Sequence, residues 1–132
     1  MQTIAVAIRA VTYMAGFVLA FTWLALSAPD LDAPSDTMLP ASVMPVGAAL
    51  MLTGGLLALA CAACFVVRGG GTPAPFDPPR ALVIVGPYRY VRNPMYVGGL
   101  LTWLGLGLLW RSWSVLAVTA VLAIIVHLFV VL

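Results

Sequence analysis

Four long apolar runs leave this chain few ways to fold. The first extends from Ile4 to Ala28 and is broken only by Arg9. The second, Val43 to Val67, carries no charge, and the third and fourth, Pro94 to Trp110 and Ser114 to Leu132, are shorter. A bilayer's hydrocarbon core is about 30 Å thick and takes around 20 apolar residues of helix. At roughly 1.5 Å of rise per residue the third run spans about 25 Å, so the last two are only just long enough. The five residues Trp110 to Ser114 that join them force an antiparallel helical hairpin.

Composition agrees. Of 132 residues, 64% are hydrophobic and 8% charged, against about 25% charged in ordinary soluble domains. Lysine and glutamate are absent; six arginines, four aspartates and one histidine carry nearly all the ionisable chemistry. Such a chain is not disordered, not a nucleic-acid-binding domain and not an ordinary soluble enzyme. The expected fold is all-α: a polytopic membrane bundle of about four transmembrane helices, in one domain over 1–132. The helices are expected at about 4–28, 43–67, 94–110 and 114–132, with a connecting loop at 68–93. The first run has a second reading, because Arg9, the apolar stretch and Leu26-Ser27-Ala28 resemble a cleavable signal peptide. Its length exceeds the roughly 7–15 residues of a signal core, which favours an uncleaved helix.

Arginines set the orientation. Arg68, Arg80, Arg89 and Arg92 lie between the second and third runs, and Arg9 falls on the same side if two spans intervene. Arg111 shares the other side with Asp30, Asp32 and Asp36. The N-terminus and the 68–93 loop are therefore expected in the cytoplasm, with Trp110 and Trp113 flanking Arg111 at the outer tip.

Within the second run, Gly47, Gly54, Gly55, Ala58, Ala62 and Ala63 form a row of small residues that lets helices approach closely. Cys61 and Cys64 make a C-x-x-C, a redox or zinc motif in other settings. Inside an apolar helix, with no second pair, they are read as small packing residues, with no metal and no disulfide. His127 is the one ionisable group of the last run, roughly 20 Å from the hairpin tip and toward the arginine-rich side. It is either a neutral histidine bonded to a carbonyl or a residue lining a ligand.

The connection at 68–98 is the informative part. Gly69 to Gly71 is flexible, and Pro73, Pro75, Pro78 and Pro79 stiffen the stretch after it into an extended path. Leu82 to Val85 is β-prone and stops at the Gly86-Pro87 turn. Asn93 before Pro94 reads as a helix start, with Asn as cap and Pro at the first helical position. Arg89, Arg92, Tyr88, Tyr90 and Tyr96 then gather at a helix N-terminus. This set suits an anion beside aromatic faces, and equally an interfacial belt in the headgroups.

The stretch Gly86-Pro-Tyr-Arg-Tyr-Val-Arg-Asn-Pro-Met-Tyr-Val-Gly98 resembles the signature of the isoprenylcysteine carboxyl methyltransferase family and its phospholipid methyltransferase relatives. That signature reads roughly G-P-Y-x-x-x-R-[HN]-P-x-Y-x-G and is followed by a helical hairpin, as here. The resemblance covers about 50 residues, from near Pro79 onward; the first two runs fit only in being hydrophobic.

The resemblance implies a membrane methyltransferase that takes its methyl group from S-adenosylmethionine. By position it implies that Tyr88, Arg92, Asn93, Pro94, Tyr96, Gly98 and His127 shape the cofactor pocket. Asn93 stands where histidine is commoner, which removes any imidazole role there. Arg89 is the candidate for binding the substrate, and no catalytic nucleophile or metal is named. The implied partners are membrane lipid and a lipid-like acceptor, with no nucleic acid. The acceptor's identity and the oligomeric state stay open.

After the hairpin, members of the family usually continue into an acidic Glu-Glu-Pro-type motif and a polar tail, whereas this sequence reaches Leu132 still apolar. The expectation is a truncated chain, whose methyl transfer is crippled if this is the whole protein. The alternative reading is a small non-enzymatic membrane subunit or transporter-like bundle. Against a transporter, all four aspartates fall in loops. Haem or quinone binding through His127 lacks an evident second ligand.

Overall fold

The computed structural model describes residues 2–27, 32, 38–69 and 83–131. The glycine- and proline-rich part of the connection, with Arg80 and Leu82, lies outside the described residues, as do Asp30, Asp36 and Leu132. Among the described residues the chain is all-α, with no strand. The four principal helices are α1 (Gln2–Ser27), α2 (Met44–Cys64), α3 (Pro94–Leu109) and α4 (Trp113–Val131). A 3₁₀ turn, Ala41–Val43, leads into α2, and a π-helical turn, Phe65–Gly69, leads out of it. A second 3₁₀ turn, Gly86–Arg89, precedes α3. The β-prone run is not a strand where it is described: Val83 to Val85 is unpaired, with Val85 extended at φ −132°, ψ 158°.

Two of these stretches, Ile4–Ser27 and Ala41–Gly69, are long and apolar enough to cross a membrane, while Pro94–Leu109 and Trp113–Leu128 are shorter. The 16 residues of α3 rise about 24 Å, less than a hydrocarbon core. The expectation of four full spans thus narrows to two helices that meet the length on their own.

The centre of the molecule is the antiparallel pair α2–α3. Its contact surface is mostly backbone. A Cβ built on Gly47 would lie 2.7 Å from the Gly105 carbonyl oxygen, and one on Gly54 would lie 2.5 Å from that of Gly98. From the other side, a Cβ on Gly98 would lie 2.9 Å from the Ala58 nitrogen, and one on Gly105 would meet the Met51 backbone. No side chain fits at these four positions. The buried positions of α2, Gly47, Gly54 and Cys61, recur every seven residues, and Gly98 and Gly105 match that spacing on α3. A seven-residue repeat keeps one face on the partner when the helices cross at a shallow left-handed angle of about 20°.

Only part of the small-residue row in α2 serves this seam. Gly47, Gly54 and Ala58 face α3, but a Cβ on Gly55 would meet open space. The matching half on α3, Gly98 and Gly105, is legible only once the two helices are paired.

The hairpin closes tightly. Trp110 caps α3, and Arg111 adopts φ +57°. The Ser112 N–H donates to the Gly107 carbonyl at 3.0 Å and the Arg111 N–H to that of Leu108 at 3.2 Å. This is a Schellman closure with arginine at the position where glycine is usual. Ser112 then starts α4 one residue earlier than expected, because its Oγ accepts the Val115 N–H at 3.1 Å. The α1–α2 connection meets the same tip. Asp32 Oδ1 accepts the Ser114 N–H at 2.8 Å, and the Arg111 guanidinium donates to the Leu39 carbonyl. Charge placement expects Asp32 and Arg111 on one side of the bundle, and the structure joins them there. Below the tip, Ala25, Trp103 and Val115 form the core cluster with Leu24, Leu106 and Val118 packed around it. Phe21 of α1 meets Trp103 edge-on at 5.6 Å.

Two measurements test this architecture. Overpacking a filled interface costs about 1–3 kcal/mol or more, so Gly105→Ala is expected to lower the unfolding midpoint in detergent, and Gly55→Ala to leave it unchanged or slightly raised. At the tip, the Ser112 and Ser114 hydroxyls and the Ser114 amide hold the Asp32 carboxyl below its ordinary value of 3.8. A depressed carboxyl stabilises the fold above the unfolded-state value and stops doing so as pH falls through the folded-state value. Asp32→Asn is therefore expected to be less stable than the parent at pH 7, with the difference closing below about pH 4. A gap that is constant with pH would show that Asp32 contributes no charge-dependent stability.

Candidate functional site

The site is built at the end of the bundle opposite the hairpin tip, where α2 ends and α3 begins. Gly86 opens the turn with φ +57°, a left-handed conformation that glycine adopts without penalty. Its position is also tight, since a Cβ there would lie 3.2 Å from the Cys64 Sγ. Pro87 follows in the first turn of the 3₁₀ segment. The Tyr88 N–H donates to the Val85 carbonyl at 3.3 Å, and the Tyr90 and Val91 N–H groups both donate to that of Pro87, at 3.1 and 3.3 Å.

This turn divides its side chains between two directions. Tyr88 turns inward against α2: its ring lies 5.0 Å from that of Phe65, and its hydroxyl comes near the Cys61 thiol. Burial, with the neighbouring thiols, pushes the phenol well above its usual range, so it stays protonated and able to donate at physiological pH. Arg89 and Arg92 are exposed, and Tyr90 is 87% exposed. Arg68, at the end of α2, is exposed at the same end.

Asn93 precedes α3, but its side chain makes no capping hydrogen bond. The expected cap is corrected. The start is set instead by Pro94, buried at the first helical position, whose ring presets φ and whose missing N–H costs nothing there. The Val97 N–H returns to the Asn93 carbonyl at 3.4 Å, while the first-turn amides of Met95 and Tyr96 have no intrahelical acceptor. Tyr96 is 39% exposed beside them.

Of the residues in the signature, Arg89, Arg92, Asn93 and Tyr96 thus gather around one helix start. Tyr88 faces the bundle. Pro94 and Gly98 are buried, Gly98 in the seam against Gly54 and Ala58, where packing alone accounts for a glycine. His127 comes to the same end, because α4 returns about 22 Å from Ser112. Its side chain is exposed on the outer face of α4, whereas the sequence offers a choice between a carbonyl-bonded core residue and a pocket-lining one.

Cys61, Cys64 and Phe65 belong to this assembly, although the cysteine spacing suggests only packing. Both thiols are free. They pack, but against the turn, Cys64 beneath Gly86. The missing signal lies in the fold: nothing local in α2 indicates that a turn some 25 residues later docks on it. Helix α2 also widens into its π turn from Phe65 onward, a distortion that often accompanies functional sites.

The arrangement can bind an anion. Two exposed arginines, Arg89 and Arg92, precede a helix start whose positive dipole end and first-turn amides favour anions, with the exposed Tyr96 and Tyr90 rings available to a planar or cationic group.

Comparison with known proteins gives the frame for this geometry. Residues 42–132 match the model of the phospholipid methyltransferase family. No curated protein and no solved structure matches the chain. The match begins near the start of α2, well before the roughly 50 residues that carry the sequence resemblance, and so takes in the α2–α3 seam as well as the turn. Helix α1 lies outside it. With the turn, the seam and the hairpin all inside the matched region, the chain belongs to the phospholipid methyltransferase family.

Proposed function

We propose that the protein is an integral membrane methyltransferase that uses S-adenosylmethionine to methylate a lipid-like acceptor at the cytoplasmic membrane surface. The observation that carries this reading is the outward set at the start of α3: Arg89, Arg92 and Tyr96 exposed, around first-turn amides that have no acceptor within the helix and no capping bond from Asn93.

The bundle's exterior supports a lipid environment. Leu19, Leu56, Leu59 and Ile124 each expose 60% or more of their surface, and such residues on three helices make an apolar exterior beyond what a water-soluble monomer shows. Arg68, Arg89 and Arg92 at one end, against Arg111 at the other, favour placing the turn in the cytoplasm.

The residues present fit the cofactor. An amino-acid carboxylate suits the Arg92 guanidinium and the first-turn amides of α3. Asn93 and Tyr96 lie alongside to bond and stack against its remaining polar and planar parts. Arg89, on the outward side of the turn, suits the anionic group of an acceptor lipid. When bound, the cofactor supplies a methyl group already activated on a sulfonium. The protein's own work is then alignment and exclusion of water, with no nucleophile on the chain. The docked turn and buried Pro94 keep the binding groups on rigid backbone.

The test uses the protein expressed from its complete coding sequence and reconstituted in nanodiscs of total lipid extract with methyl-labelled S-adenosylmethionine. Label is expected in the chloroform-soluble fraction. Losing a charged hydrogen bond costs about 1.5–3 kcal/mol, so Arg92→Ala is expected to lower turnover by about 10- to 100-fold. Because Arg92 is exposed, its unfolding midpoint should shift little. An unlabelled lipid fraction would instead favour a non-enzymatic membrane subunit, and an Arg92→Ala variant with full activity would remove Arg92 from the site.

A further inference from the structure

We propose that the α3–α4 hairpin thins the bilayer on its own side of the bundle, drawing lipid headgroups inward by about 6–9 Å to the level of Arg92 and His127. The inference rests on the proposed membrane location and not on methyl transfer.

At the hairpin tip the helices share one level. Asp32 holds the Ser114 N–H at 2.8 Å, and Arg111 donates to the Leu39 carbonyl. The tip therefore cannot sink without pulling the charged α1–α2 connection after it. Trp110 and Trp113, 38% and 54% exposed, suit an interface at that level. The seam carries the register onward. Gly47 lies against Gly105 and Leu109, and Gly54 against Gly98 and Thr102, which puts Met44 of α2 level with Trp110.

From there the helices reach polar residues at different depths. Along α2 the first charge is Arg68, 24 residues beyond Met44 and roughly 36 Å away at helical rise. Helix α3 has 16 residues and meets the exposed Arg92 after roughly 24 Å. Helix α4 gives an independent measure. His127 is exposed on its outer face, 14 residues from Trp113 and so roughly 21 Å from the tip.

A hydrocarbon core of about 30 Å suits α2 but not the hairpin. It submerges Arg92 by about 6 Å and His127 by about 9 Å. The long arginine can snorkel toward water, whereas the short imidazole cannot. Polar groups exposed to hydrocarbon are costly, and tilting the hairpin only shortens its reach. A span shorter than the core thins the bilayer around it, which brings both residues to the headgroups at once. The last turn of α4 then runs on among them. In the proposed enzyme this delivers the acceptor's headgroup to the arginines without lifting its chains from the leaflet.

The test measures the depth of His127. This sequence holds one histidine; the complete chain is labelled with ¹⁵N-histidine, and His127→Gln identifies its signal by removing it. Spectra are recorded in dioleoyl phosphatidylcholine nanodiscs with a nitroxide on the lipid headgroup, a nitroxide near the acyl-chain end, or a gadolinium chelate in the water. An undisturbed core leaves His127 nearer the midplane than the edge, whereas thinning places it at the edge. The headgroup nitroxide is therefore expected to broaden its signal at least about twofold more than the chain-end nitroxide.

Leu59→His in the His127→Gln background supplies the comparison. Leu59 is 15 residues from Met44 and thus at nearly the same depth. With Leu52 and Leu56 it forms an exposed stripe on the face of α2 opposite the seam. There the order of the two nitroxides is expected to reverse, as it is for Leu56→His should Leu59→His fold poorly. Stronger broadening of His127 by the chain-end nitroxide would overturn the proposal. Headgroup preference at both His127 and the α2 site would remove the hairpin as the cause. Protection of His127 from all three probes would mean that protein covers it, and would likewise end the proposal. Broadening by the chelate alone would reject the membrane location itself.

Discussion

The structure depends on the approach of two backbones. Along α2 and α3, four glycines bring main chain against main chain, so close that a single methyl group at Gly54 would strike the Gly98 carbonyl. In water such a seam would hold poorly, since glycine weakens helices and buries little apolar area. In a lipid-like environment the balance differs. Burying leucine against leucine gains nothing over leucine against lipid, and close packing of small residues becomes the main source of helix association. The apolar outer faces of the helices and the glycine-lined inner seam are two consequences of the same condition.

The seam also organises the site. Because α2 and α3 are antiparallel, the end of one lies beside the start of the other, and the turn before α3 packs against the end of α2. Gly98 shows how closely architecture and site are joined. It belongs to the signature stretch, yet its neighbours are Gly54 and Ala58, and its lack of a side chain serves packing. The groups left exposed around the start of α3 are Arg89, Arg92 and Tyr96. The opposite end is held by different means. There Asp32, Arg111 and Ser112 tie three segments together through capping bonds instead of side-chain packing.

Much of the fold was legible in the sequence because its signals are local. Apolar runs longer than a soluble core needs indicate helices, and Pro94 marks a helix start through its own ring. A five-residue link leaves no path but a hairpin. The side shared by Asp32 and Arg111 followed from counting crossings. What local signals cannot supply is partnership. Asn93 has the chemistry of a cap, but its backbone at φ −131°, ψ 62° comes with no side-chain bond to the helix. Ser112, with no such prominence in the sequence, caps α4. The Val83–Val85 run has strand propensity and no strand to pair with.

The sequence by itself determined an all-helical, lipid-compatible chain with most of its arginines gathered in one connection and a methyltransferase-type signature there. Hydropathy, charge placement and proline stereochemistry act within a few residues, and no later contact reverses them. The tertiary structure decided which of those signature residues face outward and which pack inward. It turned Tyr88 toward Cys61 and Phe65, sank Gly98 into the seam and left His127 on the outer face of α4. The physical reason is that a side chain's direction depends on what packs against its helix or turn. Here that partner is α2, whose Cys61 lies 27 positions before Tyr88 along the chain and comes near it only after folding.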